Sequence, residues 1–145
     1  MDRNWTLHSE FARLKIEYGL FRLDFKISPE ADCKGWYSTV SRTIHLRSSR
    51  RTTFNLFVLL HEMKHAIQFK KRCVGKRLFD TENDLAGRYF KSLKFCLEME
   101  LEADQFALSE YDRLYLPVLG KPISPQPCPV KRRNKIIAWW NKEKK

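Results

Sequence analysis

The chain has 145 residues, a formal net charge of +11 and 43% hydrophobic residues. This length predicts a single domain with a buried core, and the composition excludes a largely disordered chain. No apolar run reaches the roughly 20 residues of a transmembrane helix, and the first residues lack the apolar core of a signal peptide. We therefore expect a cytoplasmic protein with no membrane partner. The positive charge favours polyanionic partners or serves solubility alone.

The first third of the chain predicts a helix, a strand and a hairpin. Apolar residues at three- and four-residue steps predict a helix over 4–18, and alternation predicts a strand over 20–27. A second extended unit begins around Gly35, turns near 41–42 and ends at Leu46, as a hairpin or a long edge strand. The edge of the strand that ends at Leu46 is a candidate for pairing with an extended peptide, and it could equally be covered.

The rest of the chain predicts two helices, a proline-rich segment and a basic tail. The helices are expected over 53–71 and over 82–115, with Gly87 as the place for a bend. Four prolines between 122 and 129 predict an extended segment. We therefore divide the chain into a domain over 1–120 and a proline-rich segment with a basic tail over 121–145.

The tail leaves three interpretations open. It combines cationic with aromatic side chains, which suits nucleic acid, in Lys131, Arg132, Arg133, Lys135, Trp139 and Trp140. The second interpretation, which we prefer, is a poorly ordered, solvated terminus. In the third, the proline-rich segment and the tail fold back over a cleft and keep the protein latent.

The predicted helix over 53–71 carries the motif His61-Glu62-x-x-His65. Two imidazoles four residues apart lie on one face of a helix, one turn apart, and can chelate one Zn²⁺. Glu62 lies close enough to take a proton from a water activated by that ion. The same side of the helix is otherwise apolar and should point inward. The alternative is a chance motif whose histidines are hydrogen-bonded in the core.

Two carboxylates in the predicted helix over 82–115 can complete the set. Asp104 lies near the centre of an apolar stripe and Glu100 on its shoulder, whereas Glu98 and Glu102 point away. The stripe consists of Phe90, Leu93, Leu97, Leu101, Asp104, Leu108 and Tyr111. Buried carboxylates are costly unless they bind a metal or pair with Lys or Arg on a neighbouring helix. Two histidines and one carboxylate form an open zinc set, in which the other carboxylate would orient a histidine.

The histidine motif followed by Glu100-x-x-x-Asp104 resembles the gluzincin pattern of zinc metallopeptidases. The segment over 100–107 is similar to the Glu-x-Glu-Ala-Asp-x-x-Ala segment of the M48 peptidases. It also resembles the corresponding segment of the small ImmA/IrrE-type peptidases and of the minimal soluble gluzincins. The membrane helices of integral M48 members and a helix-turn-helix domain are both missing from the predicted elements.

The resemblance implies a small α+β, zincin-like domain in which a short twisted sheet packs on the motif helix beside a second ligand-bearing helix. It implies His61, His65 and Glu100 as ligands of Zn²⁺. Glu62 would be the general base, and Asp104 the hydrogen-bond partner of a ligand histidine. The implied function is zinc-dependent hydrolysis of peptide bonds in a protein or peptide substrate. The alternative is a nucleic-acid-associated or regulatory protein of the same fold, whose proteolysis is secondary or latent.

Peptide hydrolysis also needs a second donor for the developing oxyanion. The sequence does not rank the candidates, which are His45, Arg88, Tyr89, Tyr111 and Tyr115. His45 alternates with Ile44 and Leu46, so we expect it to face solvent and not to bind the metal.

Overall fold

A computed structural model of the chain describes residues 1–143, so the last two residues of the predicted tail, Lys144 and Lys145, lie outside the described residues. Over residues 1–143 the chain forms six helices, a mixed three-stranded sheet and a two-stranded sheet, which confirms the α+β class. The helices are α1 (Leu7–Glu17), α2 (Thr53–Lys71), α3 (Glu82–Lys91), α4 (Leu93–Leu114), α5 (Leu116–Leu119) and α6 (Pro129–Glu143). The strands are β1 (Asp24–Ile27), β2 (Gly35–Ser38), β3 (Thr43–Leu46), β4 (Cys73–Val74) and β5 (Arg77–Leu78). No helix formed by residues 1–143 has both the length and the apolar character needed to cross a bilayer.

The motif helix α2 has the predicted bounds and lies at the centre of the molecule. Thr52 caps its first turn, because the threonine hydroxyl accepts from the backbone N–H of Asn55 at 3.1 Å. Arg72 ends it in the left-handed conformation, with φ of 53°. The helix packs against the three-stranded sheet and, most extensively, against α4. Its core-facing residues, Leu56, Leu59, Leu60 and Met63, are fully buried.

The three-stranded sheet has the order β1-β3-β2, with β1 parallel and β2 antiparallel to β3. The predicted hairpin is therefore confirmed as β2 and β3. Of the two alternatives for the strand that ends at Leu46, the covered edge is the one found, because β3 is the central strand and both of its edges are paired. Ile44 and Leu46 face inward, as the alternation predicted.

Two predicted elements end at different residues in the structure. The strand expected over 20–27 is limited to β1, because Leu20 and Leu23 are both buried and a backbone hydrogen bond joins them in a turn. The single helix expected over 82–115 is two helices. The break falls at Ser92 and not at Gly87. Ser92 is extended, and its side chain accepts from the backbone N–H of Phe95 to cap α4.

The tail folds back onto the helical core. The proline-rich stretch over 120–128 contains no helix or strand, as predicted. The prediction of a poorly ordered, solvated terminus is wrong for residues 129–143, which form α6. Pro129 is compatible with the first helical position, where its missing N–H has no intrahelical partner. Ile136 of α6 is buried against Cys96 and Leu97 of α4.

Candidate metal centre

Helices α2 and α4 bring the three predicted ligand residues together. The Nε2 atoms of His61 and His65 lie 3.0 Å apart. Glu100 faces both, with Oε1 3.1 Å from Nε2 of His61 and Oε2 2.9 Å from Nε2 of His65. Zinc bonds of about 2.0–2.2 Å in a tetrahedral site place ligand atoms about 3.3–3.6 Å apart. With small adjustments, these three side chains can hold a metal ion.

Asp104 fixes the proton position on His61. Its Oδ1 atom lies 2.7 Å from Nδ1 of His61, and a carboxylate accepts in such a contact, so Nδ1 carries the proton and donates. Asp104 is itself held by Arg132 of α6, whose Nε donates to Oδ2 at 2.9 Å and whose Nη2 donates to Oδ1 at 3.3 Å. The sequence placed Arg132 in the tail and gave no sign of this contact.

Gln68 plays the equivalent part for His65. The Nε2 atom of Gln68 donates to the carbonyl of Met99 and to Oε1 of Glu102, both at 3.1 Å, so its Oε1 is the acceptor. That oxygen lies 2.7 Å from Nδ1 of His65, which therefore donates. Glu102 also accepts from the backbone N–H of Gly75. The sequence placed Glu102 away from the apolar stripe and gave no sign of its contact with Gln68.

The atoms that converge between α2 and α4 are hydrogen-bond acceptors. With both Nδ1 atoms donating outward, the neutral imidazoles present their Nε2 lone pairs to each other and to the Glu100 carboxylate. Such a group is unfavourable when buried unless a proton or a cation lies among the atoms. Three carboxylates line the site, and a divalent ion together with the Arg132 guanidinium would balance their charge. The donor set therefore fits a metal ion.

The pKa shifts of His61 and Glu100 also show that the site favours positive charge. Burial disfavours the charged form of His61, but its hydrogen bonds to Asp104 and Glu100 outweigh burial and raise its pKa to about 10. Burial also opposes the charge on Glu100, and the two histidines nevertheless hold the pKa of that carboxyl well below its usual range. Protons and a metal ion compete for the same nitrogen atoms, so metal binding should release protons.

Glu62 borders the space between the ligand atoms. It is buried, and its Oε2 lies 3.8 Å from Nε2 of His61. Burial raises the pKa of the Glu62 carboxyl, which brings it closer to the neutral range that suits a general base. Its position at the ligand nitrogen fits the role that the sequence suggested.

Among the five candidates for a second donor, Tyr89 lies at the site. Its hydroxyl donates to Oε2 of Glu100 at 3.2 Å. Arg88 is exposed on α3. The other three have partners elsewhere: Tyr111 bonds the Lys121 carbonyl, Tyr115 bonds Glu10, and His45 bonds Ser28. His45 alternates with the buried Ile44 and Leu46 as predicted, and it is partly covered because it stacks on Trp36. It is not one of the residues that converge on the metal centre.

The face of α4 that approaches α2 contains small residues that the apolar stripe did not include. Ala103 and Ala107 are fully buried, and side chains of this size let two helices pack closely. Close packing is what allows the short Asp104 side chain to reach His61. The predicted stripe instead began with Phe90, which is 55% exposed because it belongs to the separate helix α3.

Comparison of the chain with models of known families, with curated proteins and with solved structures gave no match. We therefore classify the site from the side chains that form it. It is a candidate mononuclear metal centre with two imidazoles and one carboxylate.

Proposed function

We propose that the protein is a zinc-dependent metallopeptidase of the gluzincin kind, acting on a protein or peptide substrate. The supporting observation is the convergence of His61, His65 and Glu100 on one point with the buried carboxylate of Glu62 beside them. A structural zinc site has four protein ligands, whereas a catalytic site has three and an open position. Three ligands with an adjacent base match the catalytic kind.

In this proposal, His61, His65 and Glu100 hold the ion. A zinc ion held by these residues would lower the pKa of a water molecule and polarise a substrate carbonyl. Glu62 takes a proton from the attacking water and delivers it to the amine nitrogen as the peptide C–N bond breaks.

Three further side chains prepare this chemistry. Asp104 and Gln68 keep Nδ1 of each histidine protonated, so that Nε2 is the nitrogen available for the metal. The Tyr89 hydroxyl, which lies next to Glu100, would donate to the carbonyl oxygen as negative charge develops there.

Hydrolysis of a peptide library by the zinc-supplemented protein tests the proposal. Glu62→Gln should retain zinc and the fold, and it should lose roughly 10²- to 10⁴-fold in cleavage rate because an amide cannot accept the proton. Glu98→Gln is the matched control, since Glu98 is an exposed carboxylate on α4. Equal rates for Glu62→Gln and the parent would contradict the role of Glu62. A zinc-loaded parent that cleaves nothing in the library would contradict the peptidase proposal.

A second candidate function is association with nucleic acid through α6. The exposed positions of this helix include Lys131, Arg133, Lys135 and Lys142, together with Trp139, which is 40% exposed. Cationic and aromatic side chains of this kind bind single-stranded nucleic acid through phosphate contacts and stacking. Titration of a single-stranded oligonucleotide at two salt concentrations should show salt-sensitive binding that Arg133→Gln weakens. The absence of binding at low salt would contradict this function.

A further inference from the structure

Helix α6 is attached to α4 by an apolar contact and by an ionic one. The apolar contact is formed by Ile136, which is 7% exposed, with Cys96 and Leu97. In the ionic contact, the Arg132 guanidinium donates from Nε and from Nη2 to the two carboxylate oxygens of Asp104. The contact is partly shielded from solvent, with side-chain exposures of 31% for Arg132 and 11% for Asp104.

A forked contact of this kind restricts the carboxylate. An Asp carboxylate can rotate about its last side-chain bond, and a guanidinium that bonds both of its oxygens fixes one orientation. In the orientation seen here, Oδ1 of Asp104 lies 2.7 Å from Nδ1 of His61. The chain of contacts thus runs from Arg132 through Asp104 to a ligand of the candidate metal centre.

We propose that Arg132 is a positioning residue of the metal centre, which orients His61 through Asp104. Helix α6 then contributes to the metal centre through Arg132. This inference rests on the proposed binding of zinc, and it does not depend on peptidase activity.

The positive charge of Arg132 should weaken zinc binding, whereas its positioning role should strengthen it. Nη2 of Arg132 lies 3.9 Å from Oε1 of Glu100, so its positive charge is close to the place of the metal and opposes binding of a cation. A purely electrostatic role predicts tighter zinc binding for Arg132→Gln and no change for Arg132→Lys. A positioning role predicts weaker binding for both variants, because lysine keeps the charge but lacks the fork.

Zinc affinity, measured by competition with a chromophoric chelator, separates these roles. We expect Arg132→Gln and Arg132→Lys to bind zinc on the order of 10-fold more weakly, the lower end of the range for loss of an outer hydrogen-bond partner. Arg133→Gln is the matched control, because Arg133 is the exposed neighbour on the same helix. Circular dichroism of each variant checks that the fold is retained.

A double mutant tests the route of the effect. In an Asp104→Asn background, Arg132→Gln should cause no further loss of zinc affinity, because both changes break one chain of contacts. Zinc should in turn slow amide hydrogen exchange in α6 of the parent protein, since coupling between two equilibria is reciprocal. This second measurement needs no variant and stands even if a substitution at Arg132 prevents folding.

Three results would overturn the inference. They are unchanged or tighter zinc binding by Arg132→Gln, a full further loss in the Asp104→Asn background, and exchange in α6 that does not respond to zinc. If the parent protein binds no zinc, the proposed metal site fails together with the inference. If the parent binds zinc and Arg132→Gln binds it equally well, only the inference fails.

Discussion

The contribution of Gln68 can be separated into one part that concerns stability and one that concerns the metal. Gln68 is 1% exposed, accepts from His65, and donates to Met99 and Glu102. Gln68→Leu removes all three hydrogen bonds. Glu102 keeps its bond from Gly75 and some access to water, and the Met99 carbonyl lies inside α4, where it keeps its intrahelical donor. The group left without a partner is therefore the Nδ1–H of His65. Leaving this one donor unsatisfied should lower the free energy of unfolding by about 1–3 kcal/mol.

Gln68→Glu distinguishes the two parts. A carboxylate still accepts from His65 but cannot donate to Met99. It would also repel the Glu102 carboxylate, because the Gln68 amide that it replaces lies 3.1 Å from Oε1 of Glu102. The zinc-free variant should therefore lose at least as much stability as Gln68→Leu, measured by urea denaturation. In chelator competition it should retain the zinc affinity of the parent, whereas Gln68→Leu should lose about 10- to 100-fold. Gln105→Leu, at an exposed position of α4, is the control.

Equal losses of zinc affinity in Gln68→Glu and Gln68→Leu would refute this reasoning. Such a result would mean that the acceptor at Nδ1 of His65 does not orient the imidazole. An unchanged stability of Gln68→Leu would refute the magnitude derived from the buried hydrogen bonds.

Two further predictions concern the fold and its dependence on pH. A Cβ atom on Gly35 would lie 2.8 Å from side-chain atoms of both Leu46 and Val58, so Gly35→Ala should force β2 away from α2. The free energy of unfolding should fall by about 1–3 kcal/mol, and an unchanged urea midpoint would contradict that close packing. Hydrogen bonds from Arg113 hold the pKa of the Glu110 carboxyl below its usual range. Its contribution to stability should therefore be present at neutral pH and disappear as the pH falls through the lowered folded-state pKa, so the difference between the parent and Glu110→Gln should shrink in acid. A difference that is independent of pH would contradict this assignment.

The central elements of the fold could be predicted because their signals are local. The helix over 53–71 has an apolar inner side with helical periodicity, and it appears in the structure as α2. The hairpin of β2 and β3 follows from alternation and a polar turn. The positions of His61 and His65 on one side of α2 follow from helical periodicity alone.

The remaining features depend on tertiary contacts. The position of β3 at the centre of the sheet requires β1 to pair with it in parallel, and a hairpin pattern does not contain that information. Gln68 lies one turn after His65, so its contact with Nδ1 could have been inferred from spacing, but its other partners come from α4. Arg132 reaches Asp104 only because α6 folds back, and the prolines before α6 favoured an extended chain instead.

The measurement that most directly tests the central claim is the zinc content of the parent and of Glu100→Ala after equilibration with zinc and dialysis. The claim predicts one zinc per parent chain and a loss in Glu100→Ala that exceeds the loss in Asp104→Ala, because a ligand contributes more than the partner of a ligand. A greater loss of zinc in Asp104→Ala would mean that Asp104 is the ligand and Glu100 the partner of a ligand. A parent without stoichiometric zinc, or a Glu100→Ala variant that retains zinc as firmly as the parent, would contradict the claim that His61, His65 and Glu100 form a metal site.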